Sequence, residues 1–218
     1  MKENRVFGVF AILSAIFFWI AGITHFLMPE EQLHFARGIT SEFFTSLGQN
    51  AIAFHIHYWA FFIASLMAMG VFILGRQEED SSIFKVTRIW GIAGLALIAL
   101  DFARMHYEAI HIASVFSTYP EAIKTMVLSS GLNRLDPYGI VFSLVGIHVL
   151  VWNYYAIRLR TMAIWLSYLG VLGGVILQFV FIGTLFQASI MITIASGLGG
   201  ILIFPIWLVF AGVESLKG

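Results

Sequence analysis

Six long apolar stretches dominate this chain and restrict it to a small number of folds. Hydrocarbon leaves α-helices and closed barrels as the only spanning structures that satisfy the backbone, and a helix of about 20 apolar residues crosses it. The chain is 60% hydrophobic and only 11% charged. We therefore predict an all-α, polytopic membrane bundle of about six transmembrane helices that forms one domain over residues 1–218. The helices are expected at about 6–28, 51–75, 87–116, 138–157, 162–184 and 190–213.

Two polar connections interrupt these stretches on one side of the predicted bundle. Residues 29–50 carry scattered apolar side chains, which is typical of an amphipathic segment at the membrane interface. Residues 117–137 form the second such connection. We expect both outer segments to cover a site as lids. Pro205, inside the last apolar stretch, predicts a kink there.

The distribution of lysine and arginine predicts the orientation of the helices. Cytoplasmic connections of membrane proteins carry an excess of these residues. With the N-terminus inside, the inner segments hold most of them and the outer segments hold only Arg37, Lys124 and Arg134. We expect a bacterial inner (plasma) membrane protein with both termini in the cytoplasm.

The fifth and sixth predicted helices differ from the first four, because they contain many glycines and no histidine. Small residues let transmembrane helices approach closely. We expect these two helices to serve as a packing scaffold, or as the contact surface of a homo-oligomer or larger complex. The net charge is zero, which argues against nucleic acid as a partner and leaves the lipid bilayer as the expected surroundings.

Histidines concentrate in or beside the first four apolar stretches, at His25, His55, His57, His106, His111 and His148, with His34 just outside. Ionisable side chains are costly in hydrocarbon and usually mark a functional site. At 1.5 Å per residue, the predicted helix ends place His25, His57 and His111 within about 3 Å of one depth. The same count places His106 and His148 about 7 Å deeper, so all are expected in the outer half of the bilayer.

The third helix also carries charged residues on one face. At 100° per residue, Asp101, Arg104, Glu108 and His111 fall within about 80° of arc, from mid-membrane to the outer surface. Asp101 and Arg104 could form a buried ion pair. His106 points about 160° away from Glu108, so it faces another cavity or packs between helices. His55 and His57 point apart by a similar angle, and we expect His57 to face inward.

A b-type haem or a transition metal ion fits these residue types. The chain has no cysteine, so a cofactor must be held by His, carboxylate, Met or Tyr. A haem could be ligated by His106 with His148, or by His57 with His25 or His111, and Arg104 or Arg37 could bind its propionates. Alternatively, Fe, Cu or Zn could be bound by His25, His57, Glu108 and His111.

Two further functions remain open. Asp101, Arg104 and Glu108 are candidate catalytic residues, and they could instead form the proton relay of a small-molecule transporter. An accessory role in a larger respiratory complex is the least specific alternative. We expect a membrane-embedded redox protein for electron transfer or oxidoreduction, with a quinone or another lipid-soluble substrate as its partner.

Overall fold

The computed structural model describes residues 2–33, 39–75, 81–130, 132, 135–136 and 139–217. In these ranges the chain forms ten α-helices. They are α1 (Lys2–Leu27), α2 (Glu30–Leu33), α3 (Ser41–Gln49), α4 (Ile52–Leu74), α5 (Ser82–Val115), α6 (Glu121–Ser130), α7 (Ile140–Leu159), α8 (Ile164–Leu185), α9 (Ser189–Ala195) and α10 (Phe204–Lys217). A 3-10 turn, Phe116–Thr118, follows α5, and a π-helix, Ser196–Ile203, joins α9 to α10.

Six helical segments are long and apolar enough to cross a membrane, which confirms the predicted all-α membrane bundle. They are Asn4–Leu27, Ile52–Leu74, Ser82–Thr118, Ile140–Leu159, Ile164–Leu185 and Ser189–Lys217. Their mean hydropathy is high, and much of each helix stays exposed in the isolated chain, as expected for surfaces that face lipid.

The six spans form a closed ring in chain order. Helix α4 packs between α1 and α5, α7 packs between α5 and α8, and α8 packs against α9 and the π-helix. The ring closes where α10 packs against α1, and there the Ser215 hydroxyl donates a hydrogen bond to the Asn4 carbonyl at 2.7 Å. We call this end of the bundle the terminal end and the opposite end the histidine end.

Helices α5 and α7 approach closely because α5 has glycines at their contact. A methyl group at Gly91 would overlap His148, and one at Gly94 would overlap the Val141 carbonyl. These contacts place α7 beside the first half of α5. The second half of α5 extends past the start of α7, and there Asp101 accepts a hydrogen bond from the Leu135 backbone.

A short amphipathic helix covers the histidine end. The Thr40 side chain caps the start of α3 by accepting a hydrogen bond from the Phe43 backbone. Phe43, Phe44 and Leu47 are buried, and Phe44 packs on Phe116 with ring centroids 4.8 Å apart. The apolar side of this predicted interfacial segment therefore packs on the bundle. In the second connection, α6 buries none of its residues.

The sixth span changes its helical geometry directly before the predicted kink. The π-helix Ser196–Ile203 ends just before Pro205, which has no backbone N–H to continue the α-helical ladder. Single π-helical turns are a common way to accommodate such a break. The irregularity in this span is therefore a π-helix directly before Pro205, and the kink itself stays a prediction.

An interhelical hydrogen bond lies in the core near the terminal end. The Trp207 indole N–H donates to Asn153 Oδ1 at 3.0 Å, and both residues are fully buried. The Asn153 amide in turn donates to the Val149 carbonyl at 2.8 Å. Because no water competes in an apolar core, this bond fixes α10 against α7.

Replacing this asparagine should destabilise the bundle. In Asn153→Leu, the buried Trp207 N–H loses its acceptor, which should lower the free energy of unfolding by about 1 kcal/mol. Unfolding of the purified protein in mixed micelles by dodecyl sulfate measures the change. The double variant Asn153→Leu with Trp207→Phe should recover part of the loss. No recovery would mean that packing against Asn153, and not the hydrogen bond, carries the effect.

Candidate functional site at the histidine end

His57 and His25 form the first histidine pair, between α4 and α1. His57 is buried, with 7% of its surface exposed, and its Nδ1 lies 2.8 Å from the Ala21 carbonyl. A carbonyl oxygen only accepts, so a neutral His57 carries its proton on Nδ1 and a lone pair on Nε2. The ring of His25, which is half-buried, lies 5.4 Å from the His57 ring, centroid to centroid.

Aromatic side chains surround this pair. Tyr58, Phe61 and Phe102 place their ring centroids 5.2, 5.1 and 6.1 Å from that of His57. Phe61 and Phe102 stack on each other at 4.4 Å. The imidazole of His57 therefore lies in a mainly aromatic environment, where a hydrogen bond is stronger than in water.

His55 and His106 form a second pair, between α4 and α5. His55 Nδ1 lies 2.6 Å from His106 Nε2, so one ring donates to the other. Both residues are half-buried, and Trp59 and Phe54 lie beside His106 with centroids 5.5 and 6.2 Å away. This pair agrees with the alternative in which His106 packs between helices. The sequence analysis did not assign a partner to His55.

The charged residues of α5 contact one another and the connection that precedes α7. Arg104 Nε donates to Glu108 Oε1 at 2.6 Å, so Arg104 forms an ion pair with Glu108. Asp101 instead accepts from the Leu135 backbone at 2.8 Å. His111 is exposed and stacks on Tyr107, with centroids 5.9 Å apart. These contacts anchor the histidine end.

His148 lies away from the other histidines, which corrects its predicted depth. It is fully buried, and Nδ1 lies 3.4 Å from Thr87 Oγ1 in the first turns of α5. His106 lies 19 residues further along α5, which at 1.5 Å per residue is about 28 Å. In this structure one iron cannot reach both rings, so His106 and His148 do not form the expected pair of haem ligands. His148 is in the half of the bundle toward the terminal end.

The surroundings of His148 define its protonation. The Thr87 hydroxyl donates its single proton to backbone carbonyls, the nearest being Ile83 at 2.9 Å, so it accepts from His148 Nδ1–H. The lone pair on Nε2 then meets no donor among the described residues. Rings of Phe72, Phe84 and Trp152 enclose the imidazole, with centroids 4.6 to 5.5 Å away.

The predicted metal ligands are not brought together. Among the described residues, no three His, Asp or Glu side chains are close enough to hold a metal ion. His57 is paired with His25, Glu108 with Arg104, and His111 with Tyr107. Among the described histidines, His55 Nδ1 and His106 Nε2 are in direct contact, whereas an iron between them needs about 4 Å between the ligating nitrogens. His34 and Arg37 lie outside the described residues.

The sequence analysis did not predict the hydrogen-bond and aromatic partners that surround each imidazole. The Ala21 carbonyl, Thr87 and the rings of Tyr58 and Phe102 carry no pattern that distinguishes them from other membrane residues. The helical phase of His55 and His106 could have indicated their pairing, because each points away from the side assigned to the site.

Comparison of the chain with protein families, curated proteins and solved structures finds no match.

Removing the carboxylate of Asp101 should release the backbone of Leu135. In Asp101→Ala the Leu135 amide loses its acceptor, and its hydrogen exchange should become roughly tenfold faster, since a hydrogen bond to a charged group contributes about 1.5 kcal/mol or more. Asp101→Asn keeps a side-chain oxygen and serves as the matched control. Exchange measured by mass spectrometry on the purified protein distinguishes them, and equal rates in all three proteins contradict the anchoring role.

Proposed function

We propose that this chain is a membrane-embedded protein that binds a lipid-soluble compound of the quinol and quinone class at His57 and His25. The observation that carries the proposal is the lone pair on His57 Nε2, fixed by the Nδ1–H bond to Ala21 and surrounded by aromatic rings. A quinol offers a planar ring that stacks on such side chains and a hydroxyl that donates to the lone pair.

The roles of the two histidines differ in this proposal. His57 accepts the hydrogen bond because its proton is committed to Ala21. His25 is half-buried beside it, so it connects His57 with the surface of the bundle and can pass on a proton. The redox chemistry belongs to the quinol itself, and the chain supplies binding and orientation.

The expectation of haem b or of Fe, Cu or Zn is less well supported. The His57 tautomer is also the one that metal-ligating histidines adopt, with one N–H on a backbone carbonyl. However, of the four expected metal ligands only His25 and His57 lie together, and no third His, Asp or Glu among the described residues joins them. Similarly, Asp101, Arg104 and Glu108 are engaged in anchoring contacts, which makes a transport pathway along α5 the weaker proposal.

We also propose how the chain is oriented in the membrane, from the distribution of its basic residues, and how it assembles, from the glycines on the surface of the sixth span. At the terminal end the described basic residues include Arg5, Lys85, Arg88, Arg158, Arg160 and Lys217, against Arg104 and Lys124 toward the histidine end. This favours cytoplasmic termini and a bacterial inner membrane, with the histidine end outside. On the sixth span, a methyl group added at Gly197 or Gly200 would meet no described atom within 4 Å, which leaves room for a homo-oligomer contact.

Binding should distinguish the reduced from the oxidised ligand. A lone pair on His57 accepts from a quinol hydroxyl and not from a quinone carbonyl, so a short-tailed benzoquinol should bind about fivefold to tenfold more tightly than its quinone. Anaerobic titration followed by tryptophan fluorescence measures both dissociation constants. His57→Ala should abolish the preference, and His111→Ala should retain it. Equal binding of both forms by the unmodified protein overturns the proposal.

An absorption spectrum separates this proposal from haem. Protein purified in detergent should show no Soret band, either as isolated or after reduction with dithionite. A Soret band with sharp α and β bands that disappears in His57→Ala would mean that this site binds haem and not a quinol. A Soret band that survives both His57→Ala and His25→Ala would move the haem away from the histidine pair altogether.

A further inference from the structure

A groove on the lipid-facing surface near the terminal end is separate from the histidine pairs. It lies between α5, α7 and α8 and encloses about 460 Å³. Helix α7 forms its floor with Val151, Tyr154 and Tyr155, while Ile83 of α5 and Tyr168 of α8 form its walls. α7 is the most deeply buried of the six spans, so it lies behind its two neighbours and leaves this depression.

The groove is open to the surroundings of the bundle. Ile83 is 61% exposed, and Tyr154 and Tyr168 are each 59% exposed. Along α7 it extends from Leu150 to Ile157, which at 1.5 Å per residue is about 10 Å. In a chain that spans a membrane, an apolar depression of this shape fits a hydrocarbon chain better than a polar ligand.

Basic residues follow the lining residues of the groove at the end of α7. Arg158 lies one helical turn beyond Tyr154, and both share one face of α7 with Val151, within about 60° of arc. Ile157 lines the groove, and Arg158 follows it directly in the chain. Arg158 and Arg160 are exposed at the end of α7, and Lys85 is exposed near the start of α5. The contact of Phe84 with Tyr155, at 6.4 Å between centroids, shows that these parts of α5 and α7 lie at one level.

We infer that this groove binds an anionic phospholipid, with one acyl chain along Val151 and Tyr155 and the phosphate at Arg158. A guanidinium donates two parallel hydrogen bonds to phosphate oxygens, and tyrosine suits the boundary between hydrocarbon and headgroups. Basic sites between transmembrane helices at the cytoplasmic side are typical of anionic lipid recognition. The inference is independent of the quinol proposal, because the two sites are at opposite ends of the bundle.

Delipidated full-length protein in detergent tests the headgroup. Phosphatidylglycerol and phosphatidylcholine with identical acyl chains are added in turn, and bound lipid is counted by native mass spectrometry. Phosphatidylglycerol should bind about fivefold more tightly, the effect of one arginine near the phosphate. Arg158→Gln should remove the preference, while Arg158→Lys should keep part of it and Lys217→Gln all of it.

A second variant tests the acyl chain. Val151→Phe fills the floor of the groove and should weaken binding of both lipids without changing the preference between them. Equal binding of both lipids by the unmodified protein overturns the inference. A preference for phosphatidylglycerol that persists in Arg158→Gln also overturns the inference, because another basic residue would then bind the headgroup. Unchanged lipid binding in Val151→Phe would reject the groove itself.

Discussion

The close approach of α5 and α7 at Gly91 and Gly94 determines the arrangement of the whole bundle. Since neither glycine has a side chain, His148 packs directly against the α5 backbone, and the Val141 carbonyl lies where a methyl group would otherwise stand. In hydrocarbon there is no hydrophobic force between helices, so such backbone contact is a main source of their attraction. The contact fixes α7 beside the first half of α5. The second half of α5 then contacts α3 and α4 and receives the connection at Leu135.

Hydropathy and helical phase predicted much of this fold. The six spans lie within a few residues of the expected ranges, and phase alone separated His106 from Glu108 and His55 from His57. Depth was predicted less well. It was counted from the ends of apolar stretches as if all helices began at one level, but α7 begins beside Gly94, well before the end of α5. A shift of this kind arises from the fit of two helix surfaces. Hydropathy contains no information about it, and His148 was therefore placed on the wrong side of the bundle.

The sequence indicated which residue type forms the candidate site, but it did not indicate which atoms bond to one another there. Histidines inside apolar helices indicated a site, and four of them do meet in pairs at the histidine end. Which atoms bond was beyond the sequence, because the partners are a backbone carbonyl, a second histidine and aromatic rings. Backbone carbonyls occur at every position. Only the three-dimensional contact shows that the proton of His57 is committed to Ala21, and this commitment is what makes its other nitrogen an acceptor.

His57 and His148 share one chemical arrangement and differ in access, and this difference separates the proposed ligand site from a structural contact. In both, Nδ1–H is donated within the bundle and Nε2 carries the lone pair. His57 retains some exposure and lies beside half-buried His25, so a ligand that enters from the lipid can reach it. His148 has none, and three aromatic rings enclose it. One of these belongs to Phe72, 15 residues after His57 on α4 and about 22 Å along the helix, so the two imidazoles cannot serve one ligand. The lone pair of His148 meets no donor among the described residues, which costs folding energy, while that of His57 is the acceptor in the proposed function.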